Sequence, residues 1–578
     1  MKKLKFMFLI IASLLLIGCG HKHKHAEKII EPTCTEEGYT EYTCECGDTY
    51  KDNYITALGH EEVIQESKVG TCIEIGISQG KKCSRCGEVM EAQKETEYGD
   101  CQYVDGECKN CGSSIGIKYA ESGNYSKISE IDKTLEIIKI ASMYHGKPVE
   151  EIPGNVFSGA LNLHTVYLPN TIKKMLGNNF SNCKNLKNIY YQGTIDDWMK
   201  MEIVDFNDDL EQLNVYLLNE NNEFYIPTEI TITSNIKELG YHALDCFTSL
   251  EKVTIEQGVE IIGPITFNDC PKLKEIIIHD SVTMIYNNAF ENCISLEKIA
   301  IPGSVKTLEN NLFKGCKNLK TVILSEGLEK IKSTFYECES LESITLPSTV
   351  KELKGGTFEN CDNLKTVILN EGLEKIEGFA FRGCKSLEQI NIPSTLKYLG
   401  EYAFSECRNL KSIELNEGLE IIHHYTFSGC QNIEKIVIPS TVVEIEWSVF
   451  EQCAKLKDVV LPETLTTLGN NAFFGCESLE NIVIPKTLKR IPDTAFAWCK
   501  NLKSVTLHNE IESIGSSAFS LCSSLEKIVL SISVTEIGFY PFLGCSSLTL
   551  YCEAQSKPDS WETSALDDVK NIVWSYKE

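Results

Sequence analysis

The chain carries little positive charge for its length. Its 578 residues include 55 lysines and arginines against 82 aspartates and glutamates, which gives a formal net charge of -27. Such a chain repels phosphate backbones, and this argues against nucleic acid as a partner. Long apolar segments are missing too, because no run after residue 18 reaches the ~18 uninterrupted apolar residues of a membrane-spanning helix.

Motifs of catalytic sites are also missing. His-Glu-x-x-His, P-loop and dinucleotide-binding patterns do not occur. Gly76 to Gly80 matches Gly-x-Ser-x-Gly, but that nucleophile turn needs a strand before the serine and a helix after it. Lys81-Lys82-Cys83 follow at once, and His423-His424 has no partnering pattern. The sequence therefore predicts no enzyme and no catalytic residue.

The N-terminus has the order of an export signal. Lysines precede an apolar run over residues 6–17, and Leu-Ile-Gly-Cys closes the segment at Cys19. This order predicts a signal peptide over residues 1–18. The closing tetrapeptide resembles a bacterial lipobox, which implies lipidation of Cys19 and a lipid anchor on the extracellular face of a bacterial membrane. The alternative is a plain secretory signal with a chance cysteine.

The 26 cysteines fall into three groups: Cys19, a group between Cys34 and Cys111, and a group between Cys183 and Cys552. The last group is periodic. From Cys270 to Cys545 every interval is 23 residues, as from Cys361 to Cys384, except for one interval of 22. A fixed period in the twenties is typical of a solenoid.

Each period repeats two patterns. Gly-x-x-Ala-Phe-x-x-Cys, as in residues 400–407, suits a turn and a short helical segment, whereas Leu-x-x-Ile-x-Ile, as in residues 387–392, suits a short strand with one buried face. A single unit cannot bury its own apolar face, but stacked units cover one another. The sequence therefore predicts a repeat solenoid, with a parallel β-sheet on one side and turns or short helical segments on the other.

This repeat resembles the BspA-type leucine-rich repeat of bacterial surface proteins over roughly residues 150–550. The resemblance implies a leucine-rich-repeat fold and adhesion to an extracellular protein or glycan. The predicted boundaries along the chain are 1–18 signal peptide, 19–33 lipidated tether, 34–117 cysteine-rich repeats, 118–149 linker or N-terminal cap, 150–552 solenoid with an irregular, partly helical insertion near 190–232, and 553–578 C-terminal cap.

Two columns recur through the predicted stack. The periodic cysteines face the core, where we expect small buried free thiols; the alternative is a ladder of disulfides. The residue after each strand leucine alternates between glutamate and lysine from Glu251 and Lys274 to Lys503 and Glu526. On a parallel sheet these residues form one column of alternating sign.

The front group of cysteines follows a weaker repeat with zinc-knuckle spacing. His60, Cys72, Cys83 and Cys86 form one predicted metal-ligand set. His25, Cys34, Cys44 and Cys46 form a second set, and the third group, Cys101, Cys108 and Cys111, lacks a fourth ligand.

Structural zinc and disulfides both remain open for this region, since disulfides are common outside the cell. Nine cysteines cannot all pair, which favours zinc. The role is structural in either case, because such small folds need disulfides or a bound metal ion to be stable.

The predicted ligand-binding residues lie on the outward face of the strands. Val437, Val460 and Val483 fall at equivalent positions of consecutive units. Strand propensity alone accounts for β-branched residues there, but an apolar strip on an exposed sheet often marks an interface. The sequence thus favours a surface binding protein, with a structural cell-envelope spacer and metal capture by the front region as alternatives.

Overall fold

The computed structural model describes residues 24–204 and 213–577, so Cys19, the signal peptide and the acidic segment 205–211 lie outside the described residues. The described residues form two compact units, divided between residues 102 and 103. Within the described ranges, no helix is long and apolar enough to cross a membrane.

The first unit, called here the front unit, consists of short antiparallel sheets. One sheet pairs the strand His25–Ile30 with Gly38–Cys44, and this strand in turn with Thr49–Ile55. The predicted tether over residues 19–33 therefore contributes a strand to the unit. The remaining strands are Glu62–Gln65, Ile75–Ile77, Gly80–Cys83, Val89–Glu91 and Glu95–Tyr98.

The second unit opens with two hairpins. Tyr103–Val104 pairs with Glu107–Cys108, and Ile117–Ser122 pairs with Tyr125–Ile131. Tyr125–Ile131 also pairs in parallel with Lys147–Ile152. The stacking of coils therefore begins within the segment 118–149, which was predicted to be a linker or cap, and not at residue 150.

Each coil of the second unit, called here a rung, contains two short strands in two parallel ladders. The prediction of a parallel sheet backed by turns is confirmed, but the second, narrower ladder was not predicted. Its strands are two residues long in most rungs, too short for an alternating pattern to show.

The first ladder, which carries the predicted sheet, is hydrogen-bonded in several runs. Its strands are Ile137–Lys139, Thr165–Pro169, Asn188–Gln192, Asn214–Leu218, Glu229–Ile232, Lys252–Ile255, Glu275–Ile278, Lys298–Ile301, Thr321–Leu324, Ser343–Thr345, Thr366–Ile368, Gln389–Asn391, Ser412–Glu414, Lys435–Val437, Asp458–Val460, Asn481–Val483, Ser504–Thr506, Lys527–Leu530, Thr549–Cys552 and Asn571–Val573.

The second ladder follows the hairpin strand Tyr125–Ile131. Its strands are Lys147–Ile152, with Met143–Tyr144 paired antiparallel to it, then Lys174–Met175, Glu202–Ile203, Glu238–Leu239, Ile261–Ile262, Met284–Ile285, Thr307–Leu308, Lys330–Ile331, Glu352–Leu353, Lys375–Ile376, Tyr398–Leu399, Ile421–Ile422, Glu444–Ile445, Thr467–Leu468, Arg490–Ile491, Ser513–Ile514 and Glu536–Ile537.

The Ala-Phe-x-x-Cys segment of each rung is a chain of turns and not a helix. In most rungs two residues of this segment adopt positive φ, as at Tyr402 (54°) and Glu406 (61°). The only helix within the described residues is Ile195–Met199, in the predicted insertion. Thr194 and Asp197 cap its N-terminus reciprocally.

Trp198 of this helix fills the core where the repeat is interrupted. Its indole meets the rings of Tyr191 and Phe247 edge to face, each at 5.3 Å. Its N–H donates to the carbonyl of Ala243 at 2.8 Å. The insertion ends in the strand Phe224–Tyr225, which pairs antiparallel with Asn214–Leu218 and interrupts the first ladder.

Two buried columns join the rungs. The phenylalanine rings from Phe267 to Phe542 stack with centroids 5.2–6.0 Å apart and planes within 13° of parallel. From Cys293 to Cys545 each cysteine thiol donates to the phenylalanine carbonyl of the preceding rung at 3.0–3.2 Å. The periodic cysteines are thus buried free thiols that bond one rung to the next.

The alternating charges form ion pairs within units of two rungs, in which a rung that carries the glutamate is followed by a rung that carries the lysine. Each of these ion pairs joins a lysine to the glutamate of the preceding rung, at 2.7 Å for Lys274–Glu251 and Lys411–Glu388 and at 2.9 Å for Lys503–Glu480. Among the residues that the structure describes, no lysine of this column is paired with the glutamate of the following rung. Each exposed pair contributes little to stability, but together the pairs place each lysine beside the glutamate of the preceding rung.

At the C-terminus, residues after Cys552 extend the stack by one strand. Asn571–Val573 pairs in parallel with Thr549–Cys552. The Trp561 side chain is buried, and its N–H donates to the carbonyl of Val534 at 3.1 Å. The predicted C-terminal cap over residues 553–578 stays a prediction.

The buried thiols predict a steep loss of stability in alkali. Burial raises the pKa of Cys361 and Cys384, and it raises the pKa of Cys545 to about 12, whereas unfolded cysteines ionise near ~8.5. The folded chain therefore retains protons that the unfolded chain loses. The stability from each thiol is fully present below pH ~8.5 and is lost as the pH rises above it, by about 1.4 kcal/mol per pH unit.

Urea unfolding under reducing conditions at pH 8, 9 and 9.5 measures this slope. We expect the double variant Cys361→Ala/Cys384→Ala to have a lower free energy of unfolding than the wild type at pH 8. Above pH ~8.5 its free energy of unfolding should fall less steeply, by about 2.7 kcal/mol per pH unit, because unfolding releases two protons fewer. Parallel slopes for the wild type and the variant would contradict the assignment of these cysteines as buried thiols.

Candidate metal site and ligand-binding face

The front unit brings one histidine and three cysteines together. One ligand atom from each of Cys34, His60, Cys83 and Cys86 lies within 4.8 Å of all the others. Cys34 Sγ is 3.7 Å from Cys83 Sγ, and Cys86 Sγ is 3.5 Å from His60 Nδ1. This group can hold a metal ion.

Three segments of the front unit position these ligands. Cys83 ends the strand Gly80–Cys83, and its carbonyl accepts the N–H of Gly87 at 3.0 Å, with φ of 76° at Gly87. This turn places Cys86 beside Cys83. The carbonyl of Cys34 accepts the N–H of Gly59 at 3.1 Å, which holds the Cys34 loop against the segment that carries His60.

The surroundings of the group favour a thiolate at Cys83. A hydrogen bond from the backbone of Cys86 lowers the pKa of Cys83 to about 5, against an opposing effect of burial and with further hydrogen bonds from the Glu61 backbone and His60. Burial, with Cys83 and Cys86 nearby, raises the pKa of Cys34 to about 11. A bound cation would deprotonate such a thiol.

Glu88 orients the histidine of the group. His60 Nε2 lies 3.3 Å from Glu88 Oε2, while His60 Nδ1 points to Cys86. A carboxylate on the second ring nitrogen is the usual support of a metal-binding histidine, because it fixes the tautomer and the ring orientation. Glu88 was not predicted from the sequence, although it follows directly after the Cys-x-x-Cys-Gly motif.

The structure divides the predicted ligands differently from the sequence analysis. Cys34, assigned to a set with His25, Cys44 and Cys46, completes the group of His60 instead, and Cys72 is not part of that group. Cys34 and Cys72 occupy equivalent positions of the weak repeat, so spacing along the chain does not distinguish them. The backbone contact between Cys34 and Gly59 decides between them.

The other predicted ligands lie elsewhere in the two units. His25 and Cys44 are cross-strand partners, and Cys46 Sγ lies 3.7 Å from Asp48 Oδ2 in the turn after Cys44. Cys72 and Cys101 belong to the front unit, where Cys72 is buried; Cys108 and Cys111 belong to the second unit, where Cys108 ends a strand. Their role as ligands stays a prediction.

The outward positions of the first ladder carry the predicted apolar strip. Val437, Val460 and Val483 are 52%, 55% and 63% exposed, and Val437 and Val460 are register partners. Ile436 and Ile482, next to them in sequence, are buried. The two faces of these strands are therefore as predicted, and Lys435, Asp458 and Asn481 lie exposed beside the strip.

The same outward column holds a tyrosine stack that the sequence analysis did not identify. Tyr167, Tyr190 and Tyr216 are register partners on adjacent strands. Their rings stack at 4.7 and 4.3 Å, and Phe224 meets Tyr190 edge to face at 5.1 Å. The irregular spacing of the insertion hid this register, which places half-buried aromatic side chains at outward positions of the first ladder.

Comparison with protein families agrees with this architecture. The model of the BspA type leucine-rich repeat region matches residues 124–201, 197–320, 237–361, 331–457 and 420–549. The chain belongs to the BspA-type leucine-rich repeat family. No curated protein matches it.

Solved structures similar to this BspA-type chain include several bacterial proteins. A leucine-rich repeat protein from Bacteroides ovatus is 23% identical, with a TM-score of 0.49, over 76% of this chain and 98% of its own. A leucine-rich cell surface protein from Faecalibacterium prausnitzii is 22% identical, with a TM-score of 0.30, over 82% and 95%. The pneumococcal vaccine antigen PcpA is 20% identical, with a TM-score of 0.33, over 82% and 100%.

Proposed function

We propose that this BspA-type protein is a cell-surface binding protein that presents the outward face of its first ladder to an extracellular protein or glycan. The apolar strip of Val437, Val460 and Val483 carries the proposal, because exposed apolar strips often mark interfaces. The hydrogen-bonded rungs beneath it support the proposal further, since a surface held in place before binding loses little entropy on binding. A family of this fold does not by itself define a ligand.

Binding assays with the purified chain test this function against a panel of extracellular-matrix proteins and polysaccharides. We expect Val460→Lys to weaken capture at least tenfold, because it introduces a charge into the strip, while the melting temperature stays within a few degrees. Ile532→Lys, at a 73% exposed turn position, is the matched control. A structural envelope spacer is the alternative, and wild-type protein that binds nothing in the panel would favour it.

We further propose that the group of Cys34, His60, Cys83 and Cys86 holds a structural zinc ion. Three thiolates and one imidazole are a common zinc set. Tetrahedral zinc with Zn–S bonds of ~2.3 Å and a Zn–N bond of ~2.0 Å separates two sulfurs by about 3.8 Å and a sulfur from a nitrogen by about 3.5 Å. The distances of 3.7 and 3.5 Å in the front unit match these values.

Elemental analysis of the purified full chain tests the zinc site. We expect Cys83→Ser/Cys86→Ser to lose one zinc per chain and Cys46→Ser, an exposed cysteine outside the group, to retain it. Glu88→Gln should weaken zinc binding about 10- to 100-fold in chelator competition. A Cys34–Cys83 disulfide in mass spectra of the native chain would decide for the disulfide alternative, and rapid zinc exchange would favour metal capture.

The N-terminal motif supports a proposed lipid anchor on Cys19 at the extracellular face of a bacterial membrane. Each buried methylene of the lipid contributes ~0.8 kcal/mol to membrane affinity, so two or more chains hold a folded domain firmly. We expect labelled fatty acid to enter the wild-type chain and not Cys19→Ser, which should appear in the medium. Membrane retention of an unlabelled Cys19→Ser chain would contradict the anchor.

A further inference from the structure

Four aromatic side chains form a ridge where the second ladder turns toward the cysteine column. Phe379 and Tyr402 stack at 4.8 Å, and Tyr402 and Tyr425 stack at 4.5 Å. Trp447 continues the row at 4.8 Å from Tyr425, with its plane turned by 72°. These four residues, from consecutive rungs, are called here the aromatic ridge.

Three of the four ridge residues occupy backbone positions that disfavour aromatic residues. Phe379, Tyr402 and Tyr425 have φ of 63°, 54° and 57°, in the left-handed region where a bulky side chain is strained. At the same rung position, five residues before the cysteine, some rungs carry residues suited to this conformation (Asn288, Asn311, Gly356 and Asn471), whereas others carry bulky residues (Ile265, Thr494 and Tyr540). The fold requires the positive φ but not an aromatic ring. What distinguishes the ridge is that three consecutive rungs place aromatic residues at these strained positions, and clustered strain of this kind points to function.

Charged groups beside the ridge are paired with one another. His424 Nε2 lies 2.6 Å from Glu401, and His424 Nδ1 lies 2.6 Å from Glu446. Further along, Arg382 pairs with Glu359 at 3.0 Å while its guanidinium lies over the ring of Phe379. The carboxylates of Glu401 and Glu446 outnumber the positive charge that His424 can carry, so the ridge favours a neutral ligand over an anionic one.

Trp447 offers the most open surface of the ridge. The His424 imidazole covers it at 5.0 Å in a near-parallel stack of 20°, and Trp447 nevertheless remains 46% exposed. The negative face of an aromatic ring attracts positively polarised hydrogens, such as the C–H groups on one face of a pyranose. The nearby carboxylates of Glu401 and Glu446 retain lone pairs that accept hydrogen bonds from hydroxyl groups.

We propose that the aromatic ridge is a second binding site, which takes a neutral oligosaccharide with a pyranose ring against Trp447. An aromatic surface bordered by a few polar groups is typical of small-ligand sites. A protein partner would instead use a continuous apolar centre that excludes water, whereas His424, Glu401 and Glu446 interrupt the apolar surface here. The site lies on the second ladder and its following turn, so it does not depend on the strip of the first ladder.

Affinity electrophoresis of the full solenoid chain in neutral polysaccharides (laminarin, xylan, amylose and galactan), with heparin as the anionic comparison, tests the proposal. We expect retardation by at least one neutral polysaccharide and at least tenfold weaker binding for Trp447→Ala. Phe539→Ala is the matched control, because Phe539 occupies the same rung position and is 51% exposed. Ile532→Lys, an exposed substitution outside both the ridge and the strip, should bind the polysaccharide normally. If Val460→Lys loses polysaccharide binding and Trp447→Ala does not, the polysaccharide is bound by the strip and the proposal is overturned.

A second substitution distinguishes binding from stability. Tyr425→Asn introduces the residue that other rungs use at this φ, so its melting temperature should stay level or rise while polysaccharide affinity falls at least threefold. Tyr540→Asn, at the same rung position with φ of 51°, should leave affinity unchanged. The proposal is overturned if no neutral polysaccharide binds, if Trp447→Ala binds normally, if heparin alone binds, or if the ridge binds a protein instead.

Discussion

Every rung must place the same atoms above the same atoms of its neighbour, and the rest of the structure depends on this constraint. The phenylalanine ring of one rung packs on that of the next, and each cysteine thiol reaches back to the phenylalanine carbonyl of the rung before it. A single rung buries little surface of its own, so this repetition supplies the core. Inward positions therefore tolerate few residue types. Where the insertion interrupts the repeat, Trp198 fills the core by packing on Tyr191 and Phe247.

Outward positions are free of this constraint, and their residues differ from rung to rung. Along one outward column Ile368, Asn391, Glu414 and Val437 follow one another, while the buried positions beside them hold Val367, Ile390, Ile413 and Ile436. Three consecutive valines from Val437 to Val483 are unusual in such a column. Function is expected where a run of outward residues departs from the surrounding variation, which is the argument for the strip.

The period of the cysteines predicted the stacked fold, because a buried column repeats in sequence as it does in space. The outward orientation of Val460 followed from strand alternation alone. The second ladder escaped prediction because strands such as Lys375–Ile376 are too short to alternate. The metal-ligand set was only partly predicted, since Cys34 reaches His60 through a backbone contact that no spacing encodes. The ridge was missed because the sequence does not show which residues adopt positive φ.

The column of alternating glutamates and lysines bears on how the repeat array can change its length. Because Lys411 pairs with Glu388 of the preceding rung, each two-rung unit brings its own ion pair. Adding or removing a whole unit keeps opposite charges adjacent, whereas a single rung would set like charges side by side at a small cost. An array that changes length in pairs of rungs can extend its binding surface without disturbing either buried column. The strip and the ridge, each spread over several rungs, are the kind of surface that such growth produces.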